Sequence, residues 1–140
     1  MKVICKQTTS EGFNLKEVTS VLSNEFDYTF GGYGLELNKE YIIMGIVLYK
    51  DSNCLYYLID VNGRPGWFPF LLFDVSDNSL PANWFTKVIS KKESTPVYCL
   101  IGFEELCKEE DFYHNLIERE ETAMRIYFRR KIEIEKIYNS

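Results

Sequence analysis

The segment at residues 41–84 reads YIIMGIVLYKDSNCLYYLIDVNGRPGWFPFLLFDVSDNSLPANW, and its pattern decides the fold. Two apolar runs of strand length, residues 41–49 and 55–61, are separated by a polar turn, and an NGRPG turn follows at residues 62–66. Short apolar runs broken by Asn-Gly turns are typical of antiparallel strands. Pro65 and Pro69 exclude a helix interior here, because proline lacks an amide N–H and clashes with the preceding turn. The segment therefore predicts a small, curled antiparallel sheet, most simply an SH3-like barrel.

Further strand patterns lie on both sides of this segment. Residues 2–6 alternate like a short strand, and residues 84–89 and 97–101 add two more candidates. Pro69 is compatible with a sheet edge, a bulge or a short helical turn that leads into residues 71–73. The glycines at residues 31–34 predict positive φ, a bulge or a close approach of two backbones. About six or seven strands result, which suffices to close a small barrel.

The apolar pattern of the sequence changes from strand-like to helical after Gly102. Residues 103–117 place apolar side chains at helical spacing, and acids lie between them. The run at residues 118–121 predicts an interruption, and a second helix is expected from about Thr122. Residues 132–135 alternate with period two, so both helix and strand stay open for residues 132–138. We expect one α+β domain over residues 1–140: a β-rich barrel at about 1–101 with helices at about 102–138 packed on it. The predicted buried side of the second helix comprises Ala123, Met124, Tyr127 and Phe128.

Charge and hydropathy narrow the class of protein. Twenty-one acidic and sixteen basic side chains give a net charge of −5, which disfavours direct binding of nucleic acid, whose phosphates need a basic face. The start at Met1 lacks a charged segment followed by an apolar one, and no apolar run approaches membrane-spanning length. A soluble, cytoplasmic chain, monomeric and without membrane contact, is the expectation.

The cysteines and the single histidine predict neither a cofactor nor a metal site. Cys5, Cys54 and Cys99 lie inside apolar runs, no C-x-x-C pair occurs, and His114 cannot complete a zinc site of ordinary spacing. All four cysteines are expected to be reduced and structural. A catalytic pair of His114 as general base with Cys107 or Cys99 as nucleophile is disfavoured, because Cys107 lacks the flanking signature of a thiol nucleophile. We therefore predict that the protein is not an enzyme.

Several phrases of the sequence carry a resemblance: GIVLY at residues 45–49, LYYLID at 55–60, GRPGWFPFLLFDV at 63–75, IGFEELCKEEDFYHNLIERE at 101–120 and MRIYFRRK at 124–131. Together they resemble small bacterial proteins that accompany secreted polymorphic toxins and act as immunity proteins, including those of contact-dependent growth inhibition. The resemblance covers about residues 35–131, and Trp67-Phe68-Pro69, Phe73 and Glu105 are among its most specific positions. It implies an SH3-like barrel with C-terminal helices and an antitoxin-like role by binding. It implies no catalytic residues.

The candidate partner-binding residues are acidic and aromatic. A basic nuclease toxin is the expected partner, because such an enzyme must attract a polyanion and an acidic inhibitor can occupy the same surface. A solvated helix face is the alternative for the acids, and packing against the C-terminal helices is the alternative for the aromatics.

A peptide-binding adaptor that uses an aromatic groove near Trp67 is the second functional hypothesis. Tyr56 and Tyr57 should point to opposite faces of a strand, so one of them is expected to be exposed or at an interface. The predicted partner-binding set is Glu104, Glu105, Glu109, Glu110, Asp111, Trp67 and Tyr57.

Overall fold

The computed structural model describes residues 1–7, 34–50, 54–89 and 94–139. Eight strands, one 3₁₀ turn and three helices lie in this part of the chain. The strands are β1 Lys2–Cys5, β2 Glu40–Ile42, β3 Gly45–Tyr49, β4 Leu55–Val61, β5 Arg64–Pro69, β6 Phe73–Asp77, β7 Phe85–Val88 and β8 Val97–Gly102. The 3₁₀ turn is Phe70–Leu72, and the helices are α1 Glu104–Lys108, α2 Phe112–Ile117 and α3 Glu121–Tyr138.

The strands form two antiparallel sheets. The smaller sheet has the order β2-β1-β6, and the larger one has the order β5-β4-β3-β8-β7. Residues 41–49 were expected as one strand, but β2 ends at Ile42 and β3 begins at Gly45. The chain therefore leaves the small sheet and enters the large one within a few residues. The predicted α+β class with antiparallel strands and C-terminal helices is confirmed, whereas the described strands are not hydrogen-bonded into one closed barrel.

Strands β3, β4 and β5 of the large sheet are buried on both faces. Side chains of β3, β4 and β5 alternate between two cores, as successive residues of a strand must. The helix-side core lies beneath the helices and includes Met44, Val47, Tyr56, Leu58, Trp67, Leu100, Leu106, Leu116 and Tyr127. The inter-sheet core lies between the two sheets and includes Val3, Tyr41, Ile43, Ile46, Tyr57, Ile59, Phe68, Leu72 and Phe73. Two cores on a shared sheet make the described part of the chain one packed unit.

The C-terminal region is more divided than the sequence pattern predicts. One helix was expected over residues 103–117, but α1 stops at Lys108 because Glu109 adopts extended backbone, with φ −85° and ψ 123°. The interruption expected at residues 118–121 is confirmed, with Arg119 in the left-handed region at φ 57°. Helix α3 then continues through residues 132–138, which settles the helix-or-strand question left by the period-two pattern.

Several short turns and glycine positions were also predicted from the sequence. Residues 70–72 form the short helical turn expected after Pro69, while β6 is a strand that the pattern did not predict. Gly34 has φ 82°, as the glycine-rich pattern predicts. The other glycines of that segment and the turns predicted at residues 51–53 and 91–94 lie wholly or mostly outside the described residues.

Candidate partner-binding site

A groove of about 580 Å³ lies between the helices and the strand ends of β3, β7 and β8. Its floor is apolar and aromatic, and includes Leu100, Leu106 and Tyr113. The hydroxyls of Tyr49 and Tyr113 are hydrogen-bonded to each other, which fixes α2 against β3 at this floor. A concave, apolar floor with a polar margin is a common form of binding site.

Three of the predicted acids form one rim of this groove. Glu109, Glu110 and Asp111 connect α1 to α2 and are exposed. Their backbone is held in place, since the Glu109 N–H donates to Glu105 O at 3.1 Å and the Asn115 N–H donates to Asp111 O at 2.9 Å. Within the described ranges, none of the three carboxylates makes an ion pair. We call Glu109, Glu110 and Asp111 the acidic rim.

The other two predicted acids have internal partners. Glu105 is buried, with 11% of its side chain exposed, and its oxygens accept from Arg130 Nε at 2.7 Å and from one terminal nitrogen each of Arg129 and Arg130 at 3.0 Å. Glu104 pairs with Lys108 at 3.5 Å and with Arg130 at 3.6 Å. The expectation that Glu105 faces water is therefore wrong: it joins α1 to α3.

Two opposing effects act on the Glu105 carboxyl. Burial raises its pKa, but the hydrogen bond from Arg130 and the positive charges of Arg130 and Arg129 outweigh burial, so the pKa lies below its ordinary value. Arg130 also pairs with Glu133 at 2.9 Å. The basic residues at 129–131 all have acidic partners within the chain. Lys131 completes this pattern through close contact with Asp60 of β4.

The two predicted aromatic contacts are buried. Trp67 is 2% exposed and packs in the helix-side core, with its ring centroid 5.5 Å from that of Tyr113. Tyr57 is 5% exposed and lies in the inter-sheet core, while its neighbour Tyr56 is 1% exposed on the other face. The prediction that one of these tyrosines is exposed is wrong, because β4 is covered by helices on one face and by the small sheet on the other. The packing interpretation of Trp67 is confirmed.

The geometry around Cys107 does not favour a thiol nucleophile. Cys107 is buried, and its Sγ lies 3.3 Å from Phe85 O and 3.7 Å from Gly102 O. Burial raises the pKa of this thiol to about 11, so it is protonated at neutral pH. His114 lies on the exposed side of α2, where its Nε2 is 3.1 Å from Glu118 Oε1. All four cysteines are buried free thiols.

Comparison of the chain with models of protein families, with curated proteins and with solved structures returns no match. Among the described residues, no cluster of three or more His, Cys, Asp or Glu side chains is arranged to hold a metal ion. In the same part of the chain, no helix combines the length and the apolar character needed to cross a membrane.

One residue of the site escaped the sequence analysis. Lys87 of β7 lies at the same groove as the acidic rim, and it has no ion-pair partner among the described residues. A single lysine in a short strand pattern carries no signal of its own. Its position follows from the pairing of β7 with β8, which sets Lys87 opposite Leu100 of the groove floor.

Proposed function

We propose that this protein is a cytoplasmic immunity protein that binds and neutralises one cognate toxin domain by occluding its active site or substrate path. A basic nuclease is the proposed target class. The resemblance of residues 35–131 to immunity proteins supports this function, as does the acidic surplus of the chain.

The acidic rim is the observation that carries the proposal. Exposed carboxylates without internal partners attract and orient a positively charged partner at low desolvation cost, because they keep their water until the partner arrives. Beside them, the half-buried side chains of Tyr113 and Ile117 in α2 supply apolar surface whose burial holds the complex together. Glu104 and Glu105 already have arginine and lysine partners within the chain, so we propose that the other three predicted acids, the acidic rim, form the charged part of the interface.

The peptide-adaptor alternative has less support. It requires an accessible aromatic groove near Trp67, and Trp67 is buried in the helix-side core. The immunity function is therefore the better supported of the two.

We also propose that β1 to β6 form an SH3-like arrangement extended by β7, β8 and the helices. Three features support it: β1 is hydrogen-bonded to both β2 and β6, the chain passes from one sheet to the other between β2 and β3, and a 3₁₀ turn precedes β6. An experimental structure in which β5 and β6 were separated by more than this turn would contradict it.

The binding proposal is tested with a pair of charge-matched variants. The chain is co-expressed with neighbouring open reading frames, and any captured toxin domain is studied with it by stopped-flow association at several salt concentrations. The rim variant combines Glu109→Gln, Glu110→Gln and Asp111→Asn. The control combines Glu36→Gln, Asp74→Asn and Glu121→Gln, which changes the net charge equally at exposed positions that do not line the groove.

We expect the rim variant to lose association rate by roughly tenfold or more at low salt and to show a flatter salt dependence, since local charge steers encounter. The control should stay within about threefold of the wild type. Equal losses in both variants would mean that only net charge matters and would remove the rim from the interface. Failure of every neighbouring toxin domain to bind would contradict the immunity function itself.

A further inference from the structure

Strand β7 is an open edge of the large sheet. It pairs with β8 on one side, and no other strand in the described residues pairs with it. The Ile89 N–H donates to Tyr98 O at 2.8 Å, so the amides of Lys87 and Phe85 also face β8, because alternate residues of an antiparallel strand share a direction. The backbone groups of Thr86 and Val88 therefore point outward from the sheet.

The side chains of β7 match this open backbone. Val88 is 65% exposed and Phe85 is 37% exposed. Exposed apolar residues are unusual on an edge strand, because an unpaired edge promotes aggregation. Lys87 lies at the groove of the acidic rim and has no ion-pair partner among the described residues. An edge strand with exposed apolar residues and one free charge can accept a complementary strand through main-chain hydrogen bonds.

The other edges found in the described sheets are less suitable for a further strand. Two of the six residues of β5 are prolines, which cannot donate a main-chain hydrogen bond. Strand β2 has three residues. Strand β6 carries Asp74 and Asp77, and aspartate is disfavoured in strands.

We propose that the β7 edge binds an extended strand of the protein partner, with an acidic residue opposite Lys87 and apolar residues opposite Thr86 and Val88. The identity of the partner rests on the proposed function, whereas strand addition rests on the edge itself. The added strand continues the large sheet beside the groove, so its residues on the helix face lie next to the groove wall that contains Lys87 and Ile89. The edge fixes the register of the partner, and the acidic rim contributes charge.

A second copy of this chain is a poor occupant of the same edge. A symmetric antiparallel pair that uses the outward groups of both Thr86 and Val88 is centred on Lys87, and it sets the two Lys87 ammonium groups directly opposite each other. Like charges opposite each other in a non-hydrogen-bonded pair are destabilising, because the side chains are closest there. Lys87 thus selects against self-pairing and in favour of an acidic strand.

The first test uses two synthetic peptides on the ¹⁵N-labelled full chain. One peptide is acetyl-TVEVT-amide, and the other is acetyl-TVKVT-amide. We expect the glutamate peptide to shift the Thr86 and Val88 amide resonances saturably at millimolar concentration, and the lysine peptide to bind at least tenfold more weakly. In Lys87→Glu the preference should reverse. Absence of saturable shifts at β7, or an unchanged preference in Lys87→Glu, would overturn the proposal.

The second test uses the toxin domain captured by co-expression. Amide hydrogen exchange of Thr86 and Val88 should slow at least tenfold in the complex, while Lys87 and Ile89, which face β8, should be protected in both states. Val88→Pro removes an outward N–H and should weaken binding at least tenfold, whereas Val88→Thr, which keeps that N–H, should bind within about threefold of wild type. A folded Val88→Pro that binds normally would refute strand addition, and the exchange measurement decides if that variant does not fold.

The two proposals fail in distinguishable ways. A tight toxin complex in which Thr86 and Val88 still exchange freely would leave the immunity function intact and remove β7 from the interface. Peptide binding at β7 without any toxin partner would keep the strand-binding edge and remove the immunity function.

Discussion

Glu105 accepts three hydrogen bonds from two arginines of α3, and it therefore links α1 to α3. In Glu105→Gln, the charge is lost and two guanidinium groups keep only a neutral acceptor. Hydrogen bonds to charged groups contribute about 1.5–3 kcal/mol each, so we expect the free energy of unfolding to fall by about 2–3 kcal/mol. Glu104→Gln is the matched control, and because Glu104 is half exposed its loss should be below about 1 kcal/mol. Urea denaturation measures both, and equal losses would contradict the assignment.

The same pair of variants should differ in pH dependence. The pKa of Glu105 lies below its unfolded value near 4.5, so its stabilising effect is fully present above that pH and is lost as the pH falls through the folded pKa. The wild type should therefore lose stability more steeply than Glu105→Gln below about pH 4.5. Parallel urea midpoints for the two proteins down to acid pH would show that the carboxylate is not preferentially ionised in the folded state.

Sequence reasoning selected Glu105 but assigned it the wrong environment. Glu104 and Glu105 are neighbours of identical type, and α1 has five residues, too few for a periodic pattern to separate an inner face from an outer one. The partners that decide the matter lie 24 and 25 residues away. Only tertiary packing distinguishes the two glutamates.

At the scale of elements, α1 lies close to the sheet because Gly45 and Gly102 face each other across β3 and β8. A Cβ built on Gly102 lies 2.7 Å from Leu106 Cδ2 and 3.3 Å from the Gly45 Cα. We expect Gly102→Ala to cost about 1–3 kcal/mol through overpacking, and Leu106→Ala alone to cost about 2–5 kcal/mol through the cavity it leaves.

The two changes should compensate partly when combined. The double variant should be more stable than the sum of the single effects predicts, by about 1 kcal/mol, because each change occupies or frees the same space. Urea denaturation of the four proteins gives this coupling energy. Strict additivity would mean that α1 moves away from the sheet as a unit, and that the close approach does not determine its position.

The strands differ in how well the sequence predicts them. β4 was predicted at its observed bounds, because it is long, apolar and followed by an Asn-Gly turn. β6 reads FDVSD, without an apolar run, and becomes a strand because β1 supplies its hydrogen bonds. The break between β2 and β3 also escaped prediction, since an apolar run does not reveal which sheet each of its residues joins.

On the scale of the whole molecule, both cores share strands β3, β4 and β5. We therefore expect one cooperative unfolding transition, because neither core can lose its packing without exposing a face of the shared sheet. Tryptophan fluorescence reports Trp67 in the helix-side core together with Trp84, which packs against both cores. Far-UV circular dichroism reports the whole chain, and calorimetry gives the enthalpy. The midpoints should coincide, and the calorimetric and van't Hoff enthalpies should agree. Separate transitions would divide the molecule into two units.

The sequence predicted the fold class better than it predicted the environment of the candidate site residues. The prediction that Tyr56 or Tyr57 is exposed is wrong because alternation along one strand does not show that both of its faces are covered. The acidic rim was within the predicted set, yet its distinction from Glu104 and Glu105 required the positions of the arginines of α3.

The dependence of Glu105 on α3 has a consequence for how the chain is made. Ribosomes extend a chain at about 5–20 residues per second, so Arg130 joins the chain about 1–5 seconds after Glu105. Until α3 has left the exit tunnel and folded, the Glu105 carboxylate has no guanidinium partner, and the aromatic side chains under the helices lack their cover. The helices should therefore pack only after the last of them has left the tunnel, and a released chain that lacks residues 129–139 should present these groups to chaperones.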